Sequence, residues 1–70
     1  MKAKLDGRFI QVEKLKKDYF KSGDNVVMRQ IYKDEAGNRY IKRKDGSLER
    51  VALKTGNNGY HCFWYYEVKN

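Results

Sequence analysis

The sequence predicts an α+β domain: a small antiparallel β-meander of three to five strands led by one N-terminal helix or helical turn. Three observations lead there. Near the start, Val12, Leu15 and Tyr19 recur at i, i+3 and i+7, the spacing of one helix face. After Asp24, runs rich in Val, Ile, Tyr and Phe alternate with short turn clusters, the composition of successive strands. The 70 residues contain no proline, no linker-like stretch and no internal repeat, so 1–70 reads as one domain.

The helix is placed over roughly 11 to 21, with Lys14, Lys16, Lys17 and Lys21 between the apolar positions and Ser22-Gly23 as its C-terminal stop. A competing signal is Asp6-Gly7, which suits a type I′ turn and would pair 2–5 with 8–12 as a hairpin. Residues 26–33 read as a strand, followed by the turn cluster Asp34-Glu35-Ala36-Gly37-Asn38. A second strand covers 39–44, and Asp45-Gly46 is the strongest hairpin signal in the chain. A third strand covers 48–54. Gly56-Asn57-Asn58-Gly59 interrupts the chain before a last strand over 60–68. The helix and the Asp6-Gly7 hairpin can both hold in part, with a strand over 8–12 that gives way to a shorter helix. The meander with a preceding helix resembles several small folds, SH3-like barrels among them, and an all-β small barrel of that kind is the alternative.

A chain this short buries a thin core, and ordering each residue costs roughly 1.5 kcal/mol. Cys62 is the only cysteine, which excludes an intrachain disulfide, and with His61 it falls short of the four ligands of a structural zinc site. Large aromatic side chains must therefore supply the core. On the last strand Tyr60, Cys62, Trp64, Tyr66 and Val68 share one face and His61, Phe63, Tyr65 and Glu67 the other. The first set reads as the core face, with Cys62 as a packed residue.

Sixteen Lys and Arg against nine Asp and Glu give a net charge of +7, which favours anionic partners and fast encounter with them. No stretch approaches the ~18 apolar residues of a membrane span, and Met1-Lys2-Ala3-Lys4-Leu5-Asp6 lacks the apolar run of a signal peptide. A cytoplasmic protein that does not engage membranes is the expectation, and a lone cysteine agrees with a reducing compartment.

Aromatics mixed with cations on one sheet suit nucleic acid, because bases stack on Phe or Tyr while phosphates pair with Lys or Arg. Phe63 and Tyr65 are the expected platforms, with Arg29, Arg39, Lys42, Arg43, Lys44 and Arg50 as phosphate contacts. The plainer reading packs Phe63 and Tyr65 beneath the helix and leaves 39–44 as a solvated edge strand whose lysines guard against aggregation.

An enzyme is not expected. Adjacent His61 and Cys62 point to opposite faces of a strand and cannot pair as base and nucleophile. Asp34, Glu35, Asp45 and Glu49 fall at turns or on an outer face, and no calcium loop, phosphate-cradling glycine loop or other cofactor motif occurs. The alternative to nucleic acid is a protein-interaction module, a small regulator or inhibitor. It would bind an acidic protein through a sheet edge or the Phe63/Tyr65 surface, or self-associate as a homodimer.

Overall fold

The N-terminal segment is a hairpin, and the predicted helix over 11–21 does not form. In the computed structural model, which describes residues 1–57 and 59–69, β1 (Lys2–Leu5) turns through Asp6-Gly7 into the long strand β2 (Arg8–Ser22). Both turn residues have positive φ, 49° at Asp6 and 83° at Gly7, as a type I′ turn requires. The α+β reading is thereby corrected in favour of the all-β alternative. Among the described residues there is no helix, and so none long and apolar enough to cross a membrane.

The helix-like spacing has a physical origin in β2 itself. Val12 and Leu15 lie on opposite faces of the strand and enter two different apolar clusters. Lys14 then pairs with Tyr32 and Lys17 with Gln30, three positions on β2 against two on β3. That extra residue is a β-bulge, and it reverses the inward alternation. Phe20, even-numbered like Val12, consequently joins the cluster that Leu15 approaches. The Gln30 side chain donates to the Leu15 carbonyl inside the bulge, pairing an acceptor that the disturbed ladder would otherwise neglect.

The meander continues in the expected order through β3 (Asn25–Asp34), β4 (Arg39–Lys42), β5 (Leu48–Asn57) and β6 (Cys62–Val68), but β5 runs on through Gly56 and Asn57, where a break was expected, and β6 starts only at Cys62. Neighbours in sequence pair antiparallel, and a parallel bridge between Phe20 and Tyr66 joins β6 to β2. Strands β2 to β6 thus close into a five-stranded barrel. The predicted turn at Asp45-Gly46 forms, with Gly46 at φ 88° and the Arg43 N–H donating to the Ser47 carbonyl at 2.8 Å. Of the Gly56–Gly59 break, Asn58 lies outside the described residues.

Alternation along β3 and β4 buries both of their faces. Ile31 and Ile41 point into the barrel with Phe20, Val51 and Tyr66, while Tyr32 and Tyr40 point outward against Ala3, Val12 and Leu48. Tyr40, Ile31 and Leu48 are the largest fully enclosed side chains. Among the described residues, four aromatic rings, Phe20, Tyr32, Tyr40 and Tyr66, belong to the ten buried apolar side chains. The few, large pieces expected of so short a chain are therefore present.

The last strand departs from expectation. Only Tyr66 and Val68 of its supposed core face reach the interior, whereas Tyr60, Cys62 and Trp64 are exposed, Trp64 by 60%. β6 is hydrogen-bonded to β2 as a ladder only at the Phe20–Tyr66 bridge. Its first half pairs with β5 alone, and Cys62 and Trp64 there stay exposed.

Candidate nucleic-acid interface

Strand alternation that sends Tyr66 inward sends Phe63 and Tyr65 to the outside of β6. Their ring centroids lie 5.8 Å apart at an interplanar angle of 35°, and Phe63 is 40% exposed. No helix covers them, so the packed alternative for these two residues does not apply.

The neighbours follow from the register. Tyr65 stands opposite Lys54 of β5 and Phe63 opposite Gly56. A Cβ at Gly56 would come within 2.4 Å of the Phe63 ring. The glycine is what lets that ring lie across the β5 backbone, close approach being one use of Gly in a strand. From β2, the Lys21 ammonium sits 5.5 Å from the Tyr65 ring centroid, within cation–π range. Tyr19, also outward on β2, is exposed beside them.

The six predicted phosphate contacts do not gather around this pair. Arg29 and Arg39 share inward faces with Ile31 and Ile41, and each is half-buried. Arg29 lies against the Phe20 ring, its guanidinium carbon 5.7 Å from the centroid, and donates to the Lys42 carbonyl. Arg39 Nη1 donates to the Gly37 carbonyl at 3.2 Å. These two cap the barrel: each donates to a main-chain carbonyl, and Arg29 also covers the Phe20 ring.

Lys42 is half-buried with its ammonium 5.1 Å from the Tyr32 ring centroid. Arg43 is paired to Glu49 at 3.4 Å and bonded to Ser47 Oγ at 3.2 Å, with exposed Lys44 beside it in the β4–β5 turn. Lys42 and Arg43 border a separate groove of 490 Å³ with Lys2, Lys4 and Phe9. Arg50 is the one predicted cation on the outward face of β5 shared with Lys54 and Gly56. It stands four residues from Lys54, about 13 Å at ~3.3 Å per residue.

Lys21 and Lys54 are the cations the sequence reading missed. The i, i+3, i+7 spacing places Lys21 on a helix, away from the sheet. Lys54 would follow from counting the β5–β6 register outward from its turn, but the cluster around Gly56–Gly59 admits several loop lengths.

Two carboxylates organise the turns at the ends of β4. Burial pushes Asp34 up, but bonds from the Tyr40 hydroxyl, from Asn38 through side chain and main chain, and from the Ala36 main chain outweigh it, and its carboxyl ends below the ordinary 3.8. Asp45 is held below the same value by the Ser47 hydroxyl and N–H. Both act as turn anchors. Among the described residues, no three His, Cys, Asp or Glu side chains come together as metal ligands.

Comparison with known proteins finds no matching family, no similar curated protein and no significantly similar solved structure.

Proposed function

We propose that this chain is a small non-catalytic module that binds single-stranded nucleic acid across the outward face of β5 and β6. The observation that carries the reading is the Phe63–Tyr65 ring pair, outside the barrel, with Lys21 over Tyr65 and Lys54 opposite it. Bases stack on such rings at ~1–3 kcal/mol each, and Lys21, Lys54 and Arg50 are spaced to meet phosphates along the same face. The five-stranded meander is compatible with an SH3-like barrel, although a fold of that kind names no function.

Fluorescence anisotropy of labelled single-stranded and duplex oligonucleotides tests this, at salt concentrations between about 50 and 200 mM. Saturable binding that prefers the single strand is expected. With about three phosphates neutralised, log affinity should fall against log salt with a slope of roughly −2. Absence of binding at the lowest salt, or a preference for duplex, would sink the reading.

A second reading, an acidic protein partner, is favoured by one specific feature. β4 pairs with β3 only at Tyr32 and Lys33, so β3 presents an edge over 25–30 on which Val26, Val27 and Met28 are exposed. An extended segment adds readily to such an edge, and net charge +7 selects an acidic one. Val27→Lys would abolish partner binding under this reading and leave oligonucleotide binding intact under the first.

A further inference from the structure

Where β4 begins, a notch opens in the barrel wall. The β4–β5 ladder ends at the Arg39–Val51 pair, but β5 runs on to Asn57. That side of Ala52 and Leu53 therefore has no β4 partner, and the space beside it, 310 Å³, is lined by Arg39, Arg50 and Lys69 with Asn38, Leu53 and Tyr66. This is at the lower end of the size range for small-ligand pockets.

The charges in the notch are held by the fold. Arg39 enters from β4, and Arg50 is the cross-strand partner of Tyr40. Lys69 is placed by its N–H, which donates to the Arg50 carbonyl at 3.0 Å. None of the three is ion-paired to a carboxylate among the described residues, where the ion pairs are Lys33–Glu13 and Arg43–Glu49. Asp34, reached through Asn38, is already occupied by donors from Asn38 and Tyr40, and Asp18 shares a second cavity with Arg39. Glu67, the cross-strand partner of Ala52, shares the outward face of β5 and β6 with Arg50 and Lys54 and is the carboxylate that flanks them.

Arg39 is the distinctive member. Its Nε is buried and has no hydrogen-bond partner among the described residues, although Nη1 reaches the Gly37 carbonyl. A buried donor left unpaired costs ~1–3 kcal/mol, more when charged, and native structures rarely carry one without a reason such as an ion.

We propose that this notch binds a phosphate group, with the Arg39 guanidinium, Arg50 and Lys69 donating to its oxygens and neutralising the charge. The planar fork of arginine matches two oxygens of a tetrahedral oxyanion. Three cations suit the dianion of a phosphate monoester, or the successive singly charged diesters of a backbone, better than one carboxylate. The exposed Leu53 side chain at the rim offers an apolar surface to the ester substituent. Either a nucleic-acid backbone or a free phosphate compound supplies this group.

The site does not depend on the Phe63–Tyr65 face, since inorganic phosphate alone tests it. The experiment follows the assigned Arg39 Nε–H resonance of ¹⁵N-labelled protein during titration with inorganic phosphate, against sodium chloride at matched ionic strength. A saturable shift with phosphate and none with chloride is expected, with affinity about tenfold lower in Lys69→Gln, a change at an exposed position after the last strand. The same titration with a short oligothymidylate separates the sources. A response at lower concentration than inorganic phosphate assigns the site to a nucleic-acid backbone, and a weaker response assigns it to a free phosphate compound. No shift at Arg39 with either ligand, or an affinity unchanged in Lys69→Gln and Arg50→Gln alike, overturns the proposal. Failure of the stacking face reads differently: Phe63→Ala would leave oligonucleotide binding unchanged while the phosphate response at Arg39 persists.

Discussion

The Tyr40 hydroxyl donates a 2.7 Å hydrogen bond to Asp34 Oδ2 across the β3–β4 turn, tying the ring at the centre of the outer cluster to the carboxylate that anchors the turn. The same carboxylate accepts from the Asn38 N–H at 2.9 Å and the Asn38 side-chain amide at 3.1 Å. Arg39, between these residues, is held at the rim of the barrel as a result. The turn chemistry of Asp34 and the placement of the notch are therefore one arrangement.

This pair gives stability a pH dependence of defined sign. Asp34 is depressed in the folded protein, so its contribution is present above the unfolded value of 3.8 and is lost as pH falls through the lower folded value. Tyr40 is raised above 10.0, first by burial and then by the bond to Asp34 and its charge, against an opposing pull from Arg50. Its contribution is complete below 10.0 and is lost as pH rises through the folded value. Tyr40→Phe should cost ~1–2 kcal/mol at neutral pH, remove this residue's part of the alkaline decline and make the acid decline shallower. Urea unfolding as a function of pH measures all three, and an unchanged profile would show that the bond contributes nothing.

Gly56 and Phe63 give a way to disturb the proposed stacking face without cutting it away. Gly56→Ala places a Cβ 2.4 Å from Phe63 Cζ. The clash is with the far end of a 40% exposed ring, so the ring swings aside and stability should change by no more than ~1 kcal/mol. Oligonucleotide affinity should nevertheless fall nearly as far as in Phe63→Ala, for which ~1–3 kcal/mol is expected. Thermal unfolding together with anisotropy checks this. Full affinity in Gly56→Ala would mean that the ring position is irrelevant to binding.

Gln30 holds the bulge that switches β2 between the two clusters, through its donation to the Leu15 carbonyl. Its side-chain nitrogen also reaches the Ile31 carbonyl at 3.1 Å. Gln30→Leu removes both donations and should destabilise the domain by ~1–3 kcal/mol, whereas Gln30→Glu loses the donor at similar size and should cost at least as much. Amide exchange should rise first around Leu15 and Lys17. Uniform protection in Gln30→Leu would show that the bulge stands without this side chain.

The sequence by itself determined much of the chain downstream of Asp24: the order of four strands, the turns at Asp34–Asn38 and Asp45-Gly46, and the division of β6 into a Tyr66 face and a Phe63/Tyr65 face. Each rests on chemistry local to a few residues, namely turn-forming Asp and Gly, β-branched and aromatic runs, and the two-residue period of a strand. The Asp6-Gly7 hairpin was equally visible, but a spacing of three and seven in β2 read as a helix. Only the tertiary structure decided that matter, because Val12 and Leu15 serve different clusters and the bulge at Lys14–Lys17 depends on the β3 register. It also decided that Arg29 and Arg39 cap the barrel instead of facing outward, and that Lys21 and Lys54 stand beside Tyr65. Closure of β6 on β2 runs through the Phe20–Tyr66 bridge, and closure is a property of strands distant in sequence that no local pattern encodes.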